Sequence, residues 1–251
     1  MIKQINNAIY GRWYDVDGIK VPSVSTITQW GCPMSFGLLE FICKEAIKLG
    51  SWEEYQRGEF SEALRVGTDV HNYAEQILNG EEVIIENDKE VQKALTSLMF
   101  FLEKHNPRPV AIEKVLFCTK MKQGKLILPF AGRCDMVADI NNELWMLDFK
   151  TSKSLDIHRY PIQLTMYASL WNATQDRMID RLDVVHLKKN FLGKEPSKNT
   201  KFLHEYEFNM ESVRCALHFF NNFYKSTDKD GSPKLKPNLH TTFKLGGKNE
   251  R

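Results

Sequence analysis

Residues 131–151 read AGRCDMVADINNELWMLDFKT, two apolar segments joined by Asn141-Asn142. Their β-rich composition and the intervening turn residues predict two neighbouring antiparallel strands. Asp135 and Asp148 would then lie close enough to share one cation. Lys150, two residues after Asp148, would project from the same face of its strand. Two carboxylates and an ammonium group at the ends of apolar strands are the groups that a metal-dependent phosphodiesterase needs.

The rest of the chain divides into a mainly helical first part and a mixed second part. Alternating apolar residues around Asp17-Gly18 predict a β-hairpin over residues 9–21. Helical periodicity with capping residues, and β-rich runs bounded by Gly and Asn, place the other elements. We expect helices near residues 36–49, 59–78, 88–104, 161–172 and 210–225, and strands near residues 110–118, 126–139, 143–151, 182–187 and 202–208. This order predicts an α+β fold.

Charge is unevenly distributed, although the formal total over 251 residues is only +2. Residues 38–103 contain 14 acidic and 6 basic side chains, whereas residues 187–201 contain five lysines and one glutamate. The segment 225–251 is also basic, with seven basic and three acidic side chains. Such runs are usually solvated surface, but clustered positive charge is also what a nucleic-acid contact needs.

Cysteine usage and hydropathy limit the cellular setting. The five cysteines form no CxxC pair and no zinc-like spacing, and their odd number argues against a disulfide framework, so a reducing compartment is expected. Residues 1–10 contain neither a basic run nor a long apolar core, and no segment approaches the roughly 20 apolar residues that cross a bilayer. We therefore expect a cytoplasmic protein with no membrane partner.

Four further residues have the chemistry to join the two aspartates. His71 follows residues 67–70, GTDV, on a predicted helix, and Glu113 lies in a predicted strand. Gln163 and Tyr167 are four residues apart, so a helix would present an amide and a phenol on one face. Taken alone, such motifs have ordinary structural explanations. A helical histidine is usually a packing or surface residue, and a D-x-K triplet such as Asp148-Phe149-Lys150 is usually an exposed strand edge. Their occurrence together favours a shared site.

The series G-T-x-x-H, a strand glutamate, G-R-x-D, D-x-K-T and Q-x-x-x-Y resembles the PD-(D/E)xK nuclease superfamily, and within it the RecB-like and lambda-exonuclease-like branch. The resemblance covers about residues 67–187 and looks closest to single-chain phage and mitochondrial-type DNA exonucleases. It implies a restriction-endonuclease-like core, an α/β sandwich with a central mixed β-sheet flanked by helices, plus an N-terminal helical arm. The implied divisions are residues 1–105 for the hairpin and arm with the helix of His71, 106–226 for the nuclease core, and 227–251 for a basic tail.

Carried over to this chain, the resemblance implies a divalent-cation site. His71, Asp135, Asp148 and the backbone carbonyl of Phe149 would bind Mg²⁺, which Mn²⁺ can replace. Glu113 would join them through a water molecule or a second cation.

The resemblance also implies roles around the scissile phosphate. Lys150 would either position or deprotonate the attacking water, and both roles stay open on the sequence. Gln163 and Tyr167 would support the lysine or contact DNA. The residues expected to bind DNA are Lys188, Lys189, Lys194, Arg133 and Thr151.

Two features of the cysteines bear on the resemblance. Cys134 stands where the namesake proline of the superfamily would precede the acid. Some RecB-type relatives hold an iron–sulfur cluster through one upstream and three downstream cysteines, whereas only Cys215 follows Tyr167 here. We therefore expect no iron–sulfur cluster.

These implications favour a Mg²⁺-dependent DNA exonuclease that acts on ends or single strands in replication, recombination or repair, in the cytoplasm of a bacterium or a phage-infected host. DNA is the expected partner, with a single-strand-binding or annealing protein as a candidate second one. Two alternatives remain: a structure-specific or restriction-type endonuclease with the same core, and a catalytically silent DNA-binding accessory module.

Overall fold

The computed structural model describes residues 2–7, 11–32, 34, 36–85, 87–118, 129–190, 200–223, 226–227 and 233–234. The helices are α1 (Val24–Gly31), α2 (Phe36–Leu49), α3 (Trp52–Tyr55), α4 (Ser61–Leu78), α5 (Lys89–His105), α6 (Arg159–Thr174) and α7 (Met210–Phe223), with a π-helical turn at Gln56–Phe60. The strands are β1 (Ile2–Asn7), β2 (Gly11–Val16), β3 (Ile19–Pro22), β4 (Arg108–Cys118), β5 (Phe130–Ile140), β6 (Glu143–Lys150), β7 (Arg181–His186), β8 (Leu203–Tyr206), β9 (Ser226–Thr227) and β10 (Pro233–Lys234).

A five-stranded mixed sheet forms the centre of the fold, in the order β4-β5-β6-β7-β8. Strands β4, β5 and β6 form an antiparallel meander, and Asn141-Asn142 supplies the turn in left-handed conformations with φ of 55° and 69°. Helix α6 then crosses over, because β7 lies parallel to β6. The α+β fold with a central mixed sheet flanked by helices is confirmed.

Helices cover both faces of the sheet. On β6, Leu144 and Met146 face a core shared with α1, α6 and α7, whereas Leu147 and Phe149 face a second core shared with α4 and α5. A strand buried on both faces reads as a continuous apolar run, which explains the sequence ELWML. Each fully buried large apolar side chain stabilises the fold by roughly 1.5–3 kcal/mol. The core therefore holds the end of β6, which bears Asp148, rigidly.

The N-terminal region docks on the central sheet through a hairpin. Strands β2 and β3 pair around Asp17-Gly18, as expected, with positive φ at both turn residues. Strand β1 adds to the edge of β2 and was not predicted, because its polar residues do not alternate with buried apolar ones. Ser23 caps α1 by accepting a hydrogen bond from Thr26 N and also bridges to Ala131 of β5.

The helix expected over residues 59–78 is α4, Ser61–Leu78, and a further helical segment that was not expected precedes it. The helical path begins at Trp52, after Ser51 accepts a hydrogen bond from Glu54 N, and it is interrupted at Gly58. Gly58 has φ −91° and ψ −106°, a conformation that breaks the regular helix. Helix α2 packs mainly on α3, and none of its described side chains is buried. Residues 36–60 are called the arm below; among their described side chains only Tyr55 is buried, and it belongs to neither of the two cores.

Most of the basic tail, residues 228–232 and 235–251, lies outside the described residues. Within the described part of the chain, no helix is both long enough and apolar enough to cross a bilayer.

Gly132 of β5 provides the first testable prediction. A Cβ added there would lie 2.5 Å from Tyr167 Cε1 and 2.8 Å from Val24 Cγ2, so Gly132→Ala forces the α6 tyrosine away from the sheet. We expect a loss of about 1–3 kcal/mol in the free energy of unfolding, measured by urea denaturation. Gly37→Ala is the matched control, because no described atom beyond its chain neighbours and its own helix backbone lies within 4 Å of the added Cβ. Equal stability of the two variants would contradict the prediction.

Candidate active site

The site begins where β5 and β6 stop pairing. Their ladder runs from Ile140↔Glu143 to Met136↔Leu147. Beyond that pair, the backbone of β6 bonds to a side chain of β5 in place of its backbone. Phe149 N donates a hydrogen bond to Asp135 Oδ2 at 2.7 Å. The two strands no longer pair here, and polar side chains gather at this end of the apolar sheet, a region called the cleft below.

Three side chains with metal-binding chemistry meet in this cleft. His71 Nδ1, from α4, lies 3.5 Å from Asp135 Oδ1 and 3.7 Å from Glu113 Oε1. Their ligand atoms all lie within 4.8 Å of one another. Two carboxylates and an imidazole, brought together from a helix and two strands, can hold a divalent cation.

Glu113 enters the cleft through an irregular backbone. It lies across from Asp135, between the pairs Ile112↔Met136 and Lys114↔Cys134, and its φ is +45°. A glutamate rarely adopts that left-handed conformation, and such strain is concentrated at functional sites. Its other oxygen, Oε2, accepts from Arg133 Nε at 2.7 Å.

The negative charge of the cleft acts on His71. The Asp135 carboxylate, together with the nearby carboxylate of Glu113, outweighs the effect of burial and raises the pKa of His71 to about 9. Imidazole must lose that proton before it can bind a metal ion. Cys134, next to Asp135, is different: burial raises the pKa of its thiol to about 12, so it stays a neutral packing residue.

Asp148 and Lys150 form the second group of the site. Lys150 Nζ pairs with Asp148 Oδ2, and Gln163 Nε2 donates to Asp148 Oδ1 at 3.1 Å. Gln163 Nε2 also lies 3.4 Å from the hydroxyl of Tyr167. Gln163 thus contacts the aspartate directly, and Tyr167 contacts Gln163.

Burial sets the charge states of this second group. Burial raises the pKa of Asp148, with Lys150 opposing the shift, and raises the pKa of Tyr167. Burial lowers the pKa of Lys150, but the carboxylates of Asp148 and Asp135 outweigh it and the net shift is upward. Lys150 is therefore a protonated ammonium in this arrangement.

The residues expected to bind a cation are not all in one cluster. Asp148 is outside the three-residue group, since its two oxygens contact Gln163 and Lys150. Phe149 donates its N–H toward β5, and the carbonyl of a strand residue points to the same edge as its N–H, so this carbonyl faces the cleft. A set of carboxylate and carbonyl oxygens with one imidazole fits Mg²⁺ or Mn²⁺.

The residues expected to bind DNA have different surroundings. Arg133 is half-exposed beside Glu113, and Thr151 faces α4, where a Cβ at Gly67 would meet its hydroxyl at an ordinary 3.7 Å. Lys189 lies 3.9 Å from Glu90, and the carbonyl of Lys188 accepts from Ser97 Oγ. Lys194 is outside the described residues.

Two residues beside the site have no counterpart in the sequence analysis. Lys150 Nζ lies 5.1 Å from the ring centroid of Tyr160, and His186 Nε2 lies 2.7 Å from the carbonyl of Ser152. Tyr160 precedes Gln163 by three residues, so its position on the same face of α6 was a usable signal. No sequence signal pointed to His186, because it lies beside Lys150 only through the parallel pairing of β6 and β7.

The raised pKa of His71 predicts how stability depends on pH without metal. The folded value of about 9 exceeds the unfolded value of roughly 6.5, so the charge interactions of His71 stabilise fully below pH ~6.5 and are lost as the pH rises through 9. We expect urea denaturation in EDTA to show a loss of up to about 3 kcal/mol across this window. His71→Gln should lack that component, and identical pH profiles for the two proteins would contradict the assignment.

Comparison with known proteins identifies the family. No curated protein matches. Among solved structures, the crystal structure of SSO0001 is similar at 20% identity with a TM-score of 0.30, and the match covers 51% of this chain and 55% of that one. The family model of the PD-(D/E)XK nuclease superfamily matches residues 31–214, a range that includes all the described site residues. The chain therefore belongs to the PD-(D/E)XK nuclease superfamily.

Proposed function

We propose that the chain is a Mg²⁺-dependent DNA exonuclease of the RecB-like and lambda-exonuclease-like branch, used in replication, recombination or repair. One observation supports the proposal: the His71, Glu113 and Asp135 cluster is joined to the strand that bears Asp148 and Lys150 by the hydrogen bond from Phe149 N to Asp135 Oδ2. We propose that the oxygen donors and the ammonium group act on a single phosphate.

The first cluster is proposed to hold the cation. His71, Glu113 and Asp135 would bind it, with Asp148 and the Phe149 carbonyl completing the set. A bound divalent cation would polarise the scissile phosphate and lower the pKa of a water ligand. The hydrogen bond from Phe149 N to Asp135 orients that carboxylate, so Oδ1 stays turned toward His71.

Lys150 is proposed to act as an electrostatic clamp on the phosphate. Its raised pKa favours the ammonium form over a free amine, which supports charge stabilisation in preference to proton abstraction. Gln163 and Tyr167 are proposed as positioning residues, because the amide of Gln163 fixes the carboxylate that pairs with the lysine.

The arm supports action on ends or single strands. The π-helical turn leads directly into α4, the helix of His71, so Phe60 lies about 16 Å along the helix from the histidine. The exposed aromatic residues of the arm, Phe41, Trp52 and Phe60, are suited to contact unpaired bases near the site. We propose that residues 1–105 supply the arm and the His71 helix, 106–226 the nuclease core, and 227–251 a tail that binds DNA or a single-strand-binding or annealing protein.

Cleavage of end-labelled linear DNA beside a covalently closed circle tests the activity. With Mg²⁺ we expect loss of linear DNA only, abolished by EDTA. Asp148→Asn and Lys150→Ala should each lower the rate by at least about 10³-fold, because each removes a buried charge at the reacting centre. Asp176→Asn is the control, because Asp176 is an exposed acid.

The other outcomes separate the alternatives. Nicking of the closed circle would replace the exonuclease with an endonuclease. Cation binding without cleavage of any substrate would establish a silent DNA-binding module. Full activity of Lys150→Ala would overturn the proposed role of the lysine.

Lys189 tests the proposed DNA contact. Lys189→Ala should weaken binding of DNA of any sequence and reduce the slope of log K against log salt by about 1, measured with Ca²⁺ in place of Mg²⁺. Lys93→Ala is the matched control, because Lys93 pairs with the same Glu90, at 2.7 Å, but is not assigned to DNA. An equal effect of the two substitutions would remove Lys189 from the interface.

A further inference from the structure

Helix α6 presents three polar side chains to the end of β6. Tyr160, Gln163 and Tyr167 are spaced by three and four residues and so share one face. Gln163 contacts Asp148 and lies beside the hydroxyl of Tyr167, whereas the ring of Tyr160 lies beside Lys150, with the ammonium nitrogen 5.1 Å from the centroid. In the first turn of the helix, Tyr160 thus lies beside the lysine. In the second turn Gln163 contacts the aspartate, and in the third Tyr167 contacts Gln163.

The backbone around Tyr160 is held in place. Its N–H donates to the Asp156 carbonyl at 3.1 Å, and Asp156 Oδ1 accepts from the backbone N–H groups of His158 and Arg159. The side chain of Asp156 therefore caps the start of α6, from a position three residues before the first helical residue, Arg159.

The segment between Lys150 and α6 is also anchored at its other end. His186 Nε2 lies 2.7 Å from the carbonyl oxygen of Ser152. A carbonyl oxygen can only accept a hydrogen bond, so Nε2 carries the hydrogen and is the donor. Ser152 Oγ lies 3.5 Å from the Tyr160 hydroxyl. Strand β7 and helix α6 thus fix the segment that follows the lysine from both sides.

The ring of Tyr160 restricts an otherwise flexible side chain. The Lys150 side chain has a flexible four-carbon stem. It is largely buried, with 19% of the side chain exposed. Asp148 attracts the ammonium from one side, and an aromatic face attracts a desolvated cation from another. Together they define one position for the ammonium group.

We propose that Tyr160 is a positioning residue that holds the Lys150 ammonium for its contact with the scissile phosphate. The proposal rests on the nuclease function proposed above. The ring, and not the hydroxyl, supplies the interaction, because among the described residues the hydroxyl makes only the long 3.5 Å contact with Ser152.

Steady-state kinetics on linear DNA with Mg²⁺ test this role. Tyr160→Leu should lower kcat by about 3- to 30-fold with KM nearly unchanged, and Tyr160→Phe should restore kcat to within about twofold, since phenylalanine keeps the aromatic face. Ile162→Ala is the control for lost packing, because Ile162 packs on the same core from the same turn. A leucine variant with the kcat of the phenylalanine variant would overturn the proposal, as would an equal loss in Ile162→Ala.

A second measurement does not require cleavage. In protein with isotopically labelled lysine and EDTA present, the Lys150 ε-methylene signal, assigned by its loss in Lys150→Arg, should be shifted upfield by the ring. The shift should persist in Tyr160→Phe and Ile162→Ala and disappear in Tyr160→Leu, or in Tyr160→Met if the leucine variant does not fold. An unchanged signal without the ring would overturn the contact itself. A correct shift in a protein that cleaves no DNA would overturn the nuclease function and, with it, the positioning role, while the contact stands.

Discussion

The hydrogen bond from Phe149 N to the Asp135 carboxylate is the interaction on which the site depends. It satisfies a backbone donor that the neighbouring strand no longer reaches, and it takes the place of a ladder bond at the point of separation. One carboxylate oxygen is used in this way, and the other remains available to His71. The same residue therefore takes the place of the strand pairing and joins the cluster of His71 and Glu113, so the position of this cluster is tied to the sheet.

Charge compensation gives the cleft its second constraint. Each of its three acids has a cationic neighbour: His71 beside Asp135, Arg133 beside Glu113 and Lys150 beside Asp148. A buried charge that loses its partner is costly, so truncation of one member destabilises the other. A bound cation and a phosphate would enter as competitors for partners already present, which links the folding energetics of the site to its occupancy.

The sequence was most informative where its signals are local. The apolar runs of 131–151 with their Asn-Asn turn predict the meander, and the spacing of Asp148 and Lys150 predicts their common face; both depend only on strand geometry. The same reasoning missed the helical segment over residues 52–60, because a stretch that follows Gly50 and contains Gly58 is typical of a loop. It could not show that Arg133 pairs with Glu113, since that contact depends on a left-handed residue within a strand.

The bridge between Ser23 and Ala131 has a consequence for biosynthesis. The apolar residues Tyr14, Val16 and Val21 are covered by Ala131 and its neighbours, which leave the ribosome about a hundred residues later. At roughly 5–20 residues per second, the hairpin waits on the order of 5–20 s for the surface that covers it. The nascent chain therefore exposes an apolar β-surface while residues 22–131 are synthesised, and this interval is when a chaperone would have most to bind.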